Sequence, residues 1–177
     1  MFKYIIIIII FIVLLWYINN NIYSTKYEIA SLDKKQYLVR NEPDSKKAAN
    51  LLAAVRKLLI TLINKLYIEK PSSHWKDILN KFKNNLNETS FKKDYTSYSV
   101  NKGDKIYLCL RHKETNKLID LNTLMFVALH EFAHMITKDL GHTPDFWRNF
   151  EFLLDKAVQY KLYKKVDYTK NPKQYCG

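Results

Sequence analysis

The chain has 177 residues, a formal net charge of +12 and two cysteines. That length holds one domain with a real core and a terminal segment. Two cysteines are too few for a disulfide framework, and the chain carries no internal repeat, no glycine-rich phosphate loop and no CxxC pair. A basic balance invites a nucleic-acid or anionic-surface partner. Here 25 of the 29 basic residues are lysines scattered without a stripe, and only Arg40, Arg56, Arg111 and Arg148 are arginines. The charge therefore reads mostly as solvated surface, and a nucleic-acid partner is not favoured.

In chain order, the first element is an unbroken apolar run from Tyr4 to Ile18, with six consecutive isoleucines, Lys3 before it and Trp16-Tyr17 near its end. Residues 1–22 read as an N-terminal transmembrane segment of the signal-anchor type, with the aromatic pair at an interface. The expected location is a single-pass membrane protein, or a secreted one if the segment is cleaved. The run itself rises only about 22 Å, against a hydrocarbon core of about 30 Å. Residues 23–43 read as a polar linker with a short strand near Tyr37-Leu38-Val39.

Asp44 or Ser45 is placed to cap a long amphipathic helix reaching about Ile68. Its apolar stripe is Ala48, Leu51, Leu52, Val55, Leu58, Leu59, Leu62, Ile63 and Leu66, and Pro71 closes it. A shorter helix from Ser73 to about Leu86 buries Trp75, Ile78, Leu79 and Phe82. Asn87-Glu88-Thr89 is a glycosylation pattern with meaning only in a lumenal compartment. Only in that compartment could Cys109 and Cys176 pair, and the sequence leaves open whether they do. Residues 96–111 read as a β-hairpin turning at Asn101-Lys102-Gly103-Asp104. In it Ile106, Leu108 and Leu110 face inward and Tyr107, Cys109 and Arg111 outward. Strands placed before a metal-binding helix often offer a sheet edge to a peptide.

Residues 130–142 hold three of the five histidines, in the stretch HEFAHMITKDLGH. His130-Glu131-Phe132-Ala133-His134 is an HExxH pattern. In a helix, positions i and i+4 share a face, so both imidazoles reach one Zn²⁺ at about 2.0–2.1 Å. Glu131 projects from nearly the same side, where it can hold a water and take its proton without being a ligand. Leu124 to Leu129 make the helix apolar enough to bury. Asp120 or Asn122 can cap it, and Gly141 can end it in a left-handed turn. His142 is the first candidate for a third ligand. Glu151, paired with Asp155 on the next helix, is its rival, while Asp139 and Asp145 read as solvated or capping residues. A last helix begins at Thr143-Pro144, cap then first-turn proline. It presents Phe146, Trp147, Phe150, Leu154, Ala157 and Val158, an aromatic support behind the histidines. From Tyr163 to Gly177 there is no periodicity.

These residues carry a resemblance. The stretch HEFAHMITKDLGHTPDFW resembles the WLM and SprT-like metallopeptidases, including the small bacterial YgjP-type proteins. They share HExxH, a short spacer, and a histidine followed by three residues and an aromatic pair, here His142-Thr143-Pro144-Asp145-Phe146-Trp147. The spacer between His134 and His142 is longer in this chain, at seven residues. The stretch TSYSVNKGDKIYLCLRHKETNKLIDLNTLMFVALHEFAH also resembles metallopeptidases encoded by large DNA viruses. The resemblance implies Zn²⁺ held by His130, His134 and His142, Glu131 as general base, and a polypeptide substrate. It implies an α+β fold: a small zincin-like domain over residues 44–177 with the HExxH helix, a short antiparallel sheet and packing helices. Two further readings stand beside it, a protease acting on DNA-bound proteins and a non-catalytic zinc-stabilised interaction module. A second donor for a developing oxyanion is expected among Tyr107, His112, Tyr168 and Tyr175.

Overall fold

The structure, a computed structural model, describes residues 2–22, 24–82, 86–90, 97–170 and 172–173. Among the described residues five helices and five short strands follow one another in an α+β arrangement. They are α1 (Phe2–Ile22), β1 (Thr25–Ile29), β2 (Gln36–Arg40), α2 (Ser45–Glu69), α3 (Ser73–Lys81), β3 (Leu86–Glu88), β4 (Tyr98–Val100), β5 (Lys105–Leu108), α4 (Leu121–Ile136) and α5 (Pro144–Gln159).

The N-terminal run is helical, and its side chains from Tyr4 to Tyr17 are exposed. The expected membrane anchor over residues 1–22 is not borne out. Among the described residues no helix is long and apolar enough to cross a membrane. The reason is length: the run ends at Ile18, three asparagines follow it, and the apolar part rises about 22 Å where about 30 Å is needed. The single-pass membrane location falls with it.

Residues 25–40 form more than the single short strand expected in a linker. β1 and β2 pair antiparallel, from Thr25 opposite Arg40 to Ile29 opposite Gln36. Tyr37 and Val39 alternate inward from β2 onto α2, and Ala30 at the turn is fully buried. The stripe of α2 is the centre of the core. Ala48, Leu52, Val55, Leu59, Leu62 and Ile63 are fully enclosed, and Leu51 and Leu58 pack at its margin. Each large aliphatic residue so buried stabilises the fold by about 1.5–3 kcal/mol. Asp44 stands at the N-cap of α2 but makes no side-chain cap. Its carboxylate turns to Arg111 instead.

The second sheet has the order β3-β5-β4. β4 and β5 form the expected hairpin, with Val100 opposite Lys105 and Tyr98 opposite Tyr107. Its turn holds three consecutive left-handed residues, Asn101, Lys102 and Gly103, at φ 47°, 51° and 98°. β3 was not expected. α3 stops at Lys81 rather than near Leu86, and Leu86 to Glu88 then pair parallel with Ile106 to Leu108. The glycosylation pattern thus lies on a strand, with Thr89 buried beside it. β2 lies beside β3, where the Arg40 amide donates to Glu88 Oε2 at 2.7 Å and Arg40 Nε donates to the Thr89 carbonyl at 2.9 Å.

The inward alternation of Ile106, Leu108 and Leu110 holds. Cys109 and Arg111, expected outward, are buried too, because α2 and the 112–117 turn cover their side of the strand. Cys109 is disulfide-bonded. Cys176 lies outside the described residues, as does Tyr175.

Candidate metal centre

Helix α4 is built to hold polar groups at one end of an apolar rod. Asp120 is its N-cap: Oδ1 accepts from the Thr123 amide at 2.9 Å and Oδ2 from the Thr123 hydroxyl at 2.7 Å. Asn122, the other cap candidate, holds the C-terminal segment by exchanging hydrogen bonds with the backbone of Lys164. Leu124, Met125, Ala128, Leu129, Phe132 and Ala133 face the core. The remaining face turns His130, Glu131 and His134 toward a cleft of about 720 Å³.

Helix α4 ends at Ile136 with Thr137 as its C-cap, whose hydroxyl donates to the Ala133 carbonyl at 2.7 Å. Gly141 is left-handed, φ 80°, but lies beyond the end and turns the loop rather than stopping the helix. The loop delivers His142 back to the histidines of α4. Directly afterwards Thr143 caps α5, its hydroxyl accepting from the Phe146 amide, with Pro144 in the first turn as expected. The third histidine is therefore held between a glycine turn and a rigid helix start.

The nitrogens of His130, His134 and His142 lie within 4.8 Å of one another. His130 Nε2 and His142 Nε2 are 3.0 Å apart, close to the roughly 3.4 Å expected between two donors on one tetrahedral ion. Phe146, fully buried, lies under all three rings at centroid distances of 4.9, 4.3 and 4.7 Å. This is the aromatic support expected from α5. Trp147, expected to join it from within, is half exposed and stands beside His142 at 5.7 Å. Glu151 is exposed and outside the cluster, and Asp145 pairs with Arg148. Asp139 is exposed on the rim of the cleft.

Electrostatics prepare the site for a cation. Burial pushes the His130 imidazole down to about 4, helped by repulsion from His134 and His142. His134 is lowered by burial and by His142. Both rings are neutral at pH 7 and offer lone pairs without first losing a proton. Three imidazoles on a dry aromatic base are a donor set that fits zinc, with room for a fourth partner on the cleft side. Glu131 is 5% exposed, and burial alone raises its carboxyl to about 7.

Of the expected oxyanion donors, Tyr175 lies outside the described residues, and Tyr107, His112 and Tyr168 do not line the cleft. Tyr107 stacks on Tyr98 at 4.8 Å on the far side of that pair, and His112 is tied into the 112–117 turn. Tyr168 packs on Phe126 at 4.9 Å and lines a neighbouring cavity of about 260 Å³. The tyrosine on the cleft wall is Tyr98, with Ser97, Ser99, Asn101 and Lys102 from the same strand and turn. The hairpin register was the available signal: Tyr98 and Tyr107 are cross-strand partners on one face, so a candidate at Tyr107 implies one at Tyr98 on the edge strand.

The comparisons with known proteins bear on the family and the fold. The family model of the WLM domain matches residues 28–174. Uncharacterized protein R325 of Acanthamoeba polyphaga mimivirus is 32% identical over 163 residues, covering 85% of this chain and 80% of that protein. Uncharacterized protein 042R of invertebrate iridescent virus 3 is 39% identical over 95 residues, covering 53% of this chain and 57% of that protein. Among solved structures, Wss1 from Saccharomyces cerevisiae shares the fold with a TM-score of 0.53 and 23% identity, over 70% of this chain and 88% of that one. The family match runs from the end of β1 through the second sheet to both helices that carry the histidines, and the chain belongs to the WLM domain family.

Proposed function

We propose that the chain is a zinc-dependent metallopeptidase acting on polypeptides. The observation that carries this reading is the convergence of His130, His134 and His142 beside a buried Glu131 at the floor of an open cleft. The three histidines would hold the ion. Zinc, when bound, supplies Lewis-acid polarisation of the scissile carbonyl and a water acidic near neutrality. Glu131 would be the general base: its carboxyl, buried in the cleft floor next to a proposed ligand, is placed to take a proton from the water and return it to a leaving amine. Phe126 and Val127, one turn before the HExxH residues, line the same cleft and exclude water from one flank.

The edge strand supports a peptide substrate. Among the described residues β4 pairs with β5 on one side only and borders the cleft with its other side. An extended peptide laid along it would add a strand and bring a carbonyl past the histidines. Tyr98 on that strand carries the phenolic donor assigned to a developing oxyanion.

The test is zinc content together with cleavage. The full chain should hold about one zinc, His142→Ala should lose most of it, and Glu151→Gln should keep it. The zinc-loaded chain should cleave a generic unfolded protein, stop on chelation and recover with added zinc. Zinc retained in His142→Ala and lost in Glu151→Gln would transfer the third-ligand role to Glu151. Firm zinc binding without hydrolysis of any unfolded substrate would replace the peptidase by an interaction module.

A further inference from the structure

The tip of the β4–β5 hairpin is seated on the metal-bearing end of α4. At Gly103 a Cβ atom would stand 2.2 Å from Met135 Cε and 2.8 Å from Met135 Cγ, so the backbone of the turn lies directly on the residue after His134. One position earlier, Lys102 occupies the left-handed region at φ 51°, a conformation that disfavours a lysine. Its side chain reaches across the end of the cleft. The ammonium donates to the Thr137 carbonyl at 3.4 Å and to the Lys138 carbonyl.

Those two carbonyls are the root of the loop that carries His142. A helix end exposes carbonyls with no intrahelical donor and a partial negative charge, and an ammonium satisfies both needs. The root is also held from the other side, where Asn149 Nδ2 of α5 donates to the Thr137 hydroxyl at 2.9 Å. Between this anchor and the Thr143 cap only residues 138–142 remain, with left-handed Gly141 among them. The loop tip is otherwise open: Leu140 is 85% exposed, and a side chain at Gly141 would meet nothing within 4 Å. Contacts at the two ends of the loop, and those of the His142 ring itself, must therefore define where His142 stands.

We propose that Lys102 is a positioning residue for the third metal donor, tying the substrate-bordering hairpin to the loop that presents His142. The inference rests on the metal-centre reading above. Lys102 does not touch the ion. It restricts the loop so that the His142 ring stands ready beside His130 and His134 before the metal arrives. Groups that orient metal ligands from outside typically contribute about 10- to 100-fold in metal affinity when removed.

The experiment measures zinc affinity of the full chain by competition with a chromophoric chelator. Lys102→Met should weaken binding about 10- to 100-fold. Lys102→Arg, which can still donate to both carbonyls, should recover most of it. In a His142→Ala background Lys102→Met should add no further loss, because its effect runs through the missing ring. The metal-free thermal midpoint should be the same in wild type and Lys102→Met, since the side chain is on the surface. Unchanged affinity in Lys102→Met, or an undiminished loss in the His142→Ala background, overturns the proposal. So does a fall in affinity matched by a fall in the metal-free midpoint. Zinc affinities in the expected order without peptide cleavage would remove the peptidase reading and leave the role of Lys102 standing. A wild-type chain that binds no zinc would remove both.

Discussion

Two glutamates are buried in this molecule, and they live under opposite rules. Glu88 on β3 is 1% exposed and surrounded by donors: the Arg40 amide at 2.7 Å, Arg111 Nε at 2.8 Å and the Arg40 guanidinium at 3.8 Å. Arg111 in turn forks onto both oxygens of Asp44, at 2.7 and 3.0 Å. Burial pushes the Glu88 carboxyl up, and the Arg40 amide and the two guanidiniums pull it back. Glu131 on α4 is 5% exposed, and burial is the sole influence that moves it. A charge as fully paired as Glu88 fastens β2, β3, β5 and the start of α2 together. A carboxyl buried without such compensation is costly to the fold, and it suits proton transfer.

The sharpest way to break this contrast is Glu131→Gln, which keeps the shape and removes the base. At equal zinc content, cleavage of an unfolded protein should fall about 100- to 10,000-fold, with the zinc-loaded thermal midpoint almost unchanged. Equal rates in mutant and wild type would deny Glu131 its role. At the other glutamate, Arg111→Met strands a buried carboxylate and should destabilise by about 3–5 kcal/mol in denaturant unfolding. Adding Glu88→Gln should restore part of that loss, and no recovery would mean that the pair is not the source of the effect.

A pH titration separates the two sites further. In the metal-free chain Glu131 has a folded value near 7 against about 4.3 unfolded. A raised folded value binds its proton more tightly when folded, so the contribution is full below about pH 4.3 and lost as pH rises through 7. Wild type should lose up to about 3 kcal/mol across that window relative to Glu131→Gln. A pH-independent difference between the two would contradict the raised value. The smallest effect belongs to Asp44, whose carboxyl is lowered, chiefly by its hydrogen bond to Arg111. That contribution is present above about pH 3.9 and fades as acid protonates the folded carboxylate. With a third of its side chain exposed, Asp44→Asn should cost only about 1 kcal/mol at pH 7. A mutant as costly in acid as at neutrality would point to lost packing instead.

The metal end was legible because its signals are local. The HExxH spacing, the Asp120 cap, the Thr143-Pro144 start and the alternation of Ile106, Leu108 and Leu110 each reside within a few residues, and each appears as read. The staple at Glu88 was not legible. β3 is three residues long and earns its structure by pairing parallel with a strand some 20 residues away, which no periodicity announces. Arg111 alternated outward with Cys109, and only the arrival of α2 from 67 residues earlier buries it. Tyr98 was passed over for Tyr107 because a two-residue period does not say which strand of the hairpin lies nearer the cleft. The N-terminal run failed in a different way: its composition was read ahead of its length, and length decides whether a helix crosses a bilayer.

The three histidines fall within thirteen consecutive residues, His130 to His142. Closing a chain segment costs entropy that grows with the logarithm of its length. Bringing His130 to His142 joins residues 12 apart, whereas joining Arg111 to Asp44 spans 67. The difference is about 1.5 kcal/mol in favour of the histidines. The donor set is thus inexpensive to close: α4, one glycine turn and the first turn of α5 supply the histidines, and the hairpin contact through Lys102 has only a short loop left to order.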